Sequence, residues 1–157
     1  ATVVLAVGAW QLYVEELTKE ALEVIAAAHP RPHGAEVRLL RQQVGKAVGG
    51  FSTPNQEKTE GLLGLTTIDL APVFRQKHPV HGTRTYGLVL TSWLKVRHTI
   101  AHGSKFRTGD AFAYLLTGSS GGHPTIRKGD AEGCLNTLSK LVEMIDRYCE
   151  WELATIS

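Results

Sequence analysis

Apolar residues recur at helical spacing along nearly the whole chain. Over the first 28 positions they alternate in steps of four and three, which is typical of the buried seam of a long bundle helix. The apolar positions of this first helix are Val3, Val7, Trp10, Val14, Leu17, Ala21, Val24 and Ala28. Pro30 and Pro32 are expected to end it, because proline lacks the N–H that helical hydrogen bonding needs.

A second apolar stripe predicts a shorter helix that stops at the glycine pair at positions 49 and 50. The stripe consists of Val37, Leu40, Val44 and Ala47. Thr53 is expected to cap a third helix, with Pro54 in its first turn and Gln56 completing a capping box. This short helix is expected to end near Gly64. Residues 66–84 are interrupted by Pro72, Pro79 and Gly82 and are interpreted as a connection with one turn of helix.

Two more long helices are predicted, one from about Thr85 to His102 and one that begins after Asp130 as its N-cap. Their core stripes are Val89, Trp93, Val96 and Ile100 in the first, and Leu135, Leu138, Val142, Ile145 and Cys149 in the second. Between them, residues 111–116 suit either a short strand or a helical turn, and residues 118–122 are expected to form a flexible loop. No strand pattern competes with the helical ones. The chain is therefore predicted to be one all-α domain over residues 1–157, an up-and-down bundle of about four main helices with short connecting helices.

The helix that ends near His102 carries the residues with the clearest chemistry. Arg97 and His98 are adjacent, His102 follows four residues later, and Gly103 favours the left-handed turn that ends a helix. Histidine exchanges protons near neutral pH, and arginine presents a fixed positive fork to phosphate oxygens. This combination suits the handling of a phosphodiester.

A helical wheel places these residues relative to the core stripe of the same helix. Arg97 lies about 70° from the centre of the stripe, while His98 and His102 lie about 170° and 150° away. A second apolar strip, formed by Leu90, Leu94 and Ala101, runs between them. Two interpretations remain open at this point: a homodimer interface bordering a site, or a wide core stripe with a polar edge in solvent.

Composition sets the outer limits. The 157 residues carry a formal charge of +2, which permits nucleic-acid binding without arguing for it. Cys134 and Cys149 are 15 positions apart in one predicted helix, about 22 Å, too far for a disulfide. They are interpreted as buried thiols in a reducing compartment, so a cytoplasmic location is expected. The apolar start lacks the basic lead-in of a signal peptide and the length of an anchor, so no membrane is expected, and the missing initiator Met suggests that native residues precede it.

A metal site is the main chemical alternative at the same residues. His98 and His102 have the i,i+4 spacing that can bind zinc, but Thr99 stands where a zinc hydrolase has glutamate. His78, His81 and His123 lie in predicted loops, where histidines are usually solvated. No metal and no cofactor is therefore expected. Three cations flank the motif, Lys95, Lys105 and Arg107, and they suit either an RNA backbone or a plain solvated face.

The run from Arg97 to Gly103 resembles the arginine, polar residue, three intervening residues, histidine and glycine of the HEPN-domain superfamily. Within that superfamily, the chain is similar to the RiboL-PSP-HEPN group. The phrases at residues 9–17 and 51–55 support the resemblance. Residues 104–128 depart from it, because they are longer and more irregular than the family's usual connection.

The resemblance implies a metal-independent endoribonuclease, commonly a bacterial toxin or defence component with an antitoxin or regulatory partner. Two protomers would pair so that both motifs face one cleft. His102 would be the acid/base group, Arg97 would hold the scissile phosphate, and His98 would bond to the phosphate or orient its neighbours. The alternative from another class is a HEPN-type dimer that binds RNA, a nucleotide or a partner protein without cleaving anything.

Overall fold

The predicted all-α class is confirmed. A computed structural model describes residues 1–155 of the chain, and these residues form a helical bundle with one small hairpin. The helices are α1 (Thr2–Ala28), α2 (Ala35–Gly49), α3 (Gln56–Gly64), α4 (Ala71–Phe74), α5 (Tyr86–Ala101) and α6 (Lys128–Ala154). Between α5 and α6 lie a 3-10 turn (Ala113–Leu115) and the strands β1 (Gly118–Ser120) and β2 (His123–Thr125).

The core lies where α1, α5 and α6 pack against one another. Trp10 of α1 and Trp93 of α5 are each only 2% exposed and are among the largest side chains in it. The indole N–H of Trp10 also donates to the backbone carbonyl of Pro54 at 2.9 Å. The Gln11 amide donates to the carbonyl of Phe51 at 2.9 Å. These two bonds fix the connection before α3 against α1.

In the long helices α1 and α6, some of the positions predicted to be buried are exposed. Val24 is 41% exposed, and the buried positions near the end of α1 are Leu22 and Ala26 instead. A straight α-helix has 3.6 residues per turn, so a seam drawn with a period of 3.5 rotates off the core by about 20° per heptad. Leu135 of the predicted α6 stripe is likewise exposed, by 42%.

Two predicted helix starts were wrong by two or three residues. Asn55 caps α3 instead of Thr53, because the Asn55 side-chain oxygen accepts the Lys58 N–H at 2.8 Å. The N-cap of α6 is Arg127, and Asp130 lies inside the first turn. The Asp130 carboxylate reaches back to the Arg127 N–H at 2.7 Å, which is the reciprocal half of a capping box.

The predicted flexible loop at residues 118–122 is instead one side of an antiparallel hairpin, in which Gly118 pairs with Thr125. Gly121 and Gly122 form its turn with φ values of 55° and 78°, a conformation that favours glycine. The buried carboxylate of Asp130 ties the hairpin to α6, because it accepts both the N–H and the hydroxyl of Thr117. For residues 111–116, the sequence left a short strand or a helical turn open, and the structure has the helical turn. Helix α4 is the single turn expected within residues 66–84.

The second apolar strip of α5 belongs mostly to the core. Leu90 is fully buried and Leu94 is 7% exposed, whereas Ala101 is exposed. Helix α5 contacts α1, α3, α4 and α6, so its buried face is wider than a single stripe. The interpretation of Leu90 and Leu94 as a dimer interface was therefore wrong, and the wide core stripe is correct.

Cys134 and Cys149 lie on α6, as predicted, and both are free and buried. Burial raises the pKa of each thiol to about 12, because the thiolate loses its hydration. None of the helices within residues 1–155 combines the length and the apolarity needed to cross a membrane.

Candidate functional site

Helix α5 ends in a complete C-cap motif. Gly103 takes φ +62°, its N–H bonds to the Ile100 carbonyl at 3.0 Å, and the Ser104 N–H bonds to the Thr99 carbonyl at 3.0 Å. This pair of bonds is the Schellman motif, and it makes His102 the C-cap residue. The predicted role of Gly103 is confirmed, and it fixes where the His102 backbone stands relative to the last helical turn.

His98 and His102 form a pair on the exposed face of α5. Their ring centroids are 4.2 Å apart and the ring planes are inclined by 53°. Neither side chain makes a hydrogen bond or an ion pair with another residue in the range 1–155, so all their ring nitrogens are available to a ligand. Adjacent imidazoles in this setting suit proton transfer.

Arg97 lies on a different side of the same helix. Its side chain is half-buried, and its Nε is a buried donor without a hydrogen-bond acceptor among residues 1–155. Five helical steps put Arg97 and His102 about 140° apart around the axis, and no contact joins the guanidinium to either imidazole. The structure thus brings the two histidines together and leaves Arg97 apart, free of any carboxylate in the described chain.

The three flanking cations are all exposed. Lys95 lies one turn before His98 on α5, while Lys105 and Arg107 follow the Schellman turn. The Arg107 backbone N–H donates to the Asp110 carboxylate at 2.8 Å, but none of the three cationic side chains forms an ion pair within residues 1–155. They remain available to a polyanion.

Positive and negative charges are distributed unevenly along the sequence, which the small net charge does not reveal. Residues 70–129 contain nine lysines and arginines and a single acidic residue, Asp110, whereas the rest of the chain has eight lysines and arginines against fourteen acidic residues. Helix α5 and both of its flanking segments therefore sit within a cationic stretch. Within residues 1–155, Lys128 is the one cation of this stretch that forms an ion pair, with Glu132 at 3.6 Å. Such a concentration of positive charge is typical of surfaces that bind nucleic acid.

A cleft of about 360 Å³ borders His98, which we name the α5 cleft. It combines two apolar side chains with a polar rim and one cation. Its lining residues are Thr53, Asn55, Thr91, Leu94, Lys95, His98, Thr99 and Phe112. They come from three segments: the connection before α3, helix α5 and the stretch before the 3-10 turn. Apart from Lys95 and His98, sequence reasoning assigned none of these residues to a site.

His78 is buried, so its interpretation as a solvated loop histidine was wrong. It is 5% exposed, and its Nδ1 accepts the N–H groups of Val80 and His81, each at 3.3 Å. Its Nε2 lies 3.1 Å from the hydroxyl of Thr137, which itself donates to the Gly133 carbonyl. The ring must therefore donate from Nε2 and is neutral. Burial, and secondarily the nearby His81, lower the pKa of His78.

Metal-binding geometry is not found in the part of the chain that the structure describes. Over residues 1–155, no three histidine, cysteine, aspartate or glutamate side chains lie close enough together to hold an ion. His98 and His102 therefore have no third protein ligand within this range, and His81 and His123 do not supply one.

Comparisons with known protein families, with curated proteins and with solved structures find no match to this chain.

Proposed function

We propose that the protein is an endoribonuclease that needs no metal and cleaves RNA by attack of a ribose 2′-hydroxyl on the adjacent phosphate. The observation that carries the proposal is the exposed His98–His102 pair, 4.2 Å between ring centroids, on a helix whose Arg97 is not neutralised by a carboxylate within residues 1–155. The cationic stretch around α5 supports RNA as the substrate.

The chemical step uses only these side chains. The 2′-oxygen forms a bond to phosphorus while the bond from phosphorus to the 5′-oxygen breaks. A neutral imidazole accepts the 2′-hydroxyl proton, and a protonated imidazole gives a proton to the departing 5′-oxygen. Arginine stabilises the charge that builds up on the phosphate oxygens. The products are a 2′,3′-cyclic phosphate and a 5′-hydroxyl.

The proposal includes a homodimer. Arg97 and His102 lie on different sides of α5, and the proposed pairing brings the motifs of two copies to one shared cleft. In such a pair, His102 of one copy accepts the 2′-hydroxyl proton and His102 of the second copy protonates the leaving group. His98 bonds to the phosphate or orients its neighbour. The resemblance to the HEPN superfamily is the support for this pairing, and for a toxin or defence role in the cytoplasm with an antitoxin or regulatory partner.

The test is to incubate the purified protein with mixed cellular RNA in EDTA and to identify the new ends. We expect cleavage with cyclic phosphate ends. His102→Ala should lower the rate by about a hundredfold to ten-thousandfold. Arg97→Ala should cost a similar factor and His98→Ala less, because water replaces a bonding neighbour in part.

All three variants should remain folded, because His98 and His102 are exposed and Arg97 makes no hydrogen bond or ion pair within the described chain. His123→Ala is the matched control, because His123 is exposed on β2 and has no role in the proposal. A His102→Ala variant that is folded and cleaves at the parental rate would contradict the assignment, as would activity that EDTA abolishes and zinc or manganese restores.

The second candidate is a non-catalytic RNA-binding dimer. The separation of Arg97 from the two imidazoles within one protomer favours this candidate. Binding a polyanion requires positive charge but does not require the arginine and the histidines to converge on one phosphate. RNA that binds but is not cleaved under these conditions would decide for this candidate.

A further inference from the structure

We propose that the α5 cleft binds one nucleobase of the RNA, next to the position at which the backbone is cleaved. The proposal deepens the ribonuclease function and rests on it. It assigns base recognition to Asn55, Thr91 and Phe112, which lie outside the Arg97–His102 motif.

The lining of the cleft matches a nucleobase in character. A base is an aromatic plate with apolar faces and a polar edge, and proteins bind unpaired bases by contact with aromatic and apolar side chains and by hydrogen bonds to the edge. Phe112 and Leu94 provide the apolar part and are each 7% exposed. The Phe112 ring is held by an edge-on contact with Phe106, with centroids 6.0 Å apart. Its position is therefore set before a ligand arrives.

The polar rim has hydrogen-bonding directions that the fold already fixes. The Asn55 oxygen is occupied by the Lys58 N–H, so the free part of this amide is its NH₂ group, a donor. The hydroxyls of Thr91 and Thr99 donate to the carbonyls of Gly87 and Lys95 at 2.9 and 3.0 Å. Their remaining lone pairs are acceptors. A donor on one wall and acceptors on α5 suit the edge of a base, which offers both acceptors and donors.

The walls of the cleft are held together firmly. Asn55 belongs to the connection that the bond from the Trp10 indole to the Pro54 carbonyl fixes against α1, and this indole is buried. The opposite wall is a regular turn of α5. A cleft whose walls are positioned by the core loses little entropy on binding and can discriminate between ligands.

The cleft lies within one nucleotide of the proposed chemistry. Lys95 and His98 both border it, and the His102 ring is 4.2 Å from that of His98. Lys95 has no ion-pair partner within residues 1–155, so it is available to a backbone phosphate. A nucleotide with its base in the cleft therefore places its sugar and phosphate beside the histidine pair.

The first experiment measures base preference at the cleavage sites of a randomised RNA pool. Asn55→Asp keeps the cap of α3, since aspartate is an equally good N-cap, but replaces the donor with an acceptor. Thr91→Val removes one acceptor with little change of shape. The parent should prefer particular bases at one position next to the cut, and each variant should reduce that preference by about tenfold.

Asn136→Asp is the matched control, because it adds the same charge on the exposed surface of α6 and should leave the preference unchanged. Parental cleavage without any base preference, or a preference that Asn55→Asp and Thr91→Val leave intact, overturns the α5 cleft while the ribonuclease stands.

A second experiment separates failure of the cleft from failure of the enzyme. His102→Ala protein is titrated with the four nucleoside monophosphates and with ribose 5-phosphate, and backbone amide shifts are followed by NMR. Nucleotides should shift the amides of Thr91 and Phe112, and ribose 5-phosphate should not. Should no RNA cleavage be found, these shifts alone still support the base site. Equal shifts from ribose 5-phosphate, or none from any nucleotide, overturn it.

Discussion

Replacing Gly103 with alanine tests the turn that places His102. Gly103 has φ +62°, where a side chain is strained, yet a Cβ added there meets no atom within 4 Å. The cost of Gly103→Ala is therefore conformational and contains no steric clash. A left-handed conformation costs an L-residue about 1–2 kcal/mol. Alanine also restricts the unfolded chain, which offsets about 0.4–1 kcal/mol of that cost.

The expected net loss in the free energy of unfolding is about 1 kcal/mol, or about 2–4 °C in Tm for a domain of this size. Urea denaturation measures it, provided that the m-value stays constant. Gly109→Ala is the matched control: it too has open space around the added Cβ, but its φ is not in the left-handed region. Its effect should be neutral or slightly stabilising.

Equal urea midpoints for Gly103→Ala and Gly109→Ala would refute the reasoning, because they would mean that residue 103 does not need a left-handed backbone. A fall of several kcal/mol would also refute it, since conformational strain alone does not reach that value. RNA cleavage measured on the folded variant should fall as well, because alanine shifts the C-cap that carries His102.

Two further predictions concern stability. Asp130→Ala removes the acceptor of three donors, the Thr117 N–H, the Thr117 hydroxyl and the Arg127 N–H, and should lower the free energy of unfolding by about 3 kcal/mol. Asp110→Ala is the comparison: it leaves one donor, the Arg107 N–H, without its acceptor and should lower the free energy of unfolding by about 1 kcal/mol. Similar urea midpoints for the two variants would contradict this prediction. Because the folded-state pKa of His78 is lowered, the unfolded chain binds its proton more readily, so stability is full above about pH 6.5 and declines as the pH falls towards the folded pKa. His78→Gln should flatten this decline in urea titrations between about pH 5 and 7, and an unchanged slope would count against a neutral buried ring.

The four long helices could be predicted because each one carries an apolar stripe at helical spacing over three or more turns. The hairpin could not, since each strand has three residues and its place depends on the bonds from Thr117 to Asp130, distant in sequence. The start of α3 was misplaced because Thr53 and Asn55 are both good caps and only the fold selects between them.

The histidine pair was predictable because i,i+4 spacing on one helix is a local property. The α5 cleft was not, because Asn55, Thr91 and Phe112 are brought together by packing between separate segments, including the bond from Trp10 to Pro54. The burial of His78 also depends on a distant partner, Thr137 on α6. Helix-local chemistry was therefore accessible from sequence, and chemistry assembled across segments was not.

On the proposed function, the uneven distribution of charge separates two steps in the encounter with RNA. Attraction by the cationic stretch acts over about 8 Å at physiological ionic strength and accelerates association regardless of sequence. The α5 cleft is lined by one lysine, one histidine and otherwise uncharged residues. Recognition in the cleft therefore depends on hydrogen bonds, which act only after the RNA is in contact with the protein. Added salt should therefore slow the arrival of a strand while leaving the choice among its bases nearly untouched. On the proposed function, ionic strength controls how often the protein meets RNA, and the fold of the α5 cleft controls where it cuts.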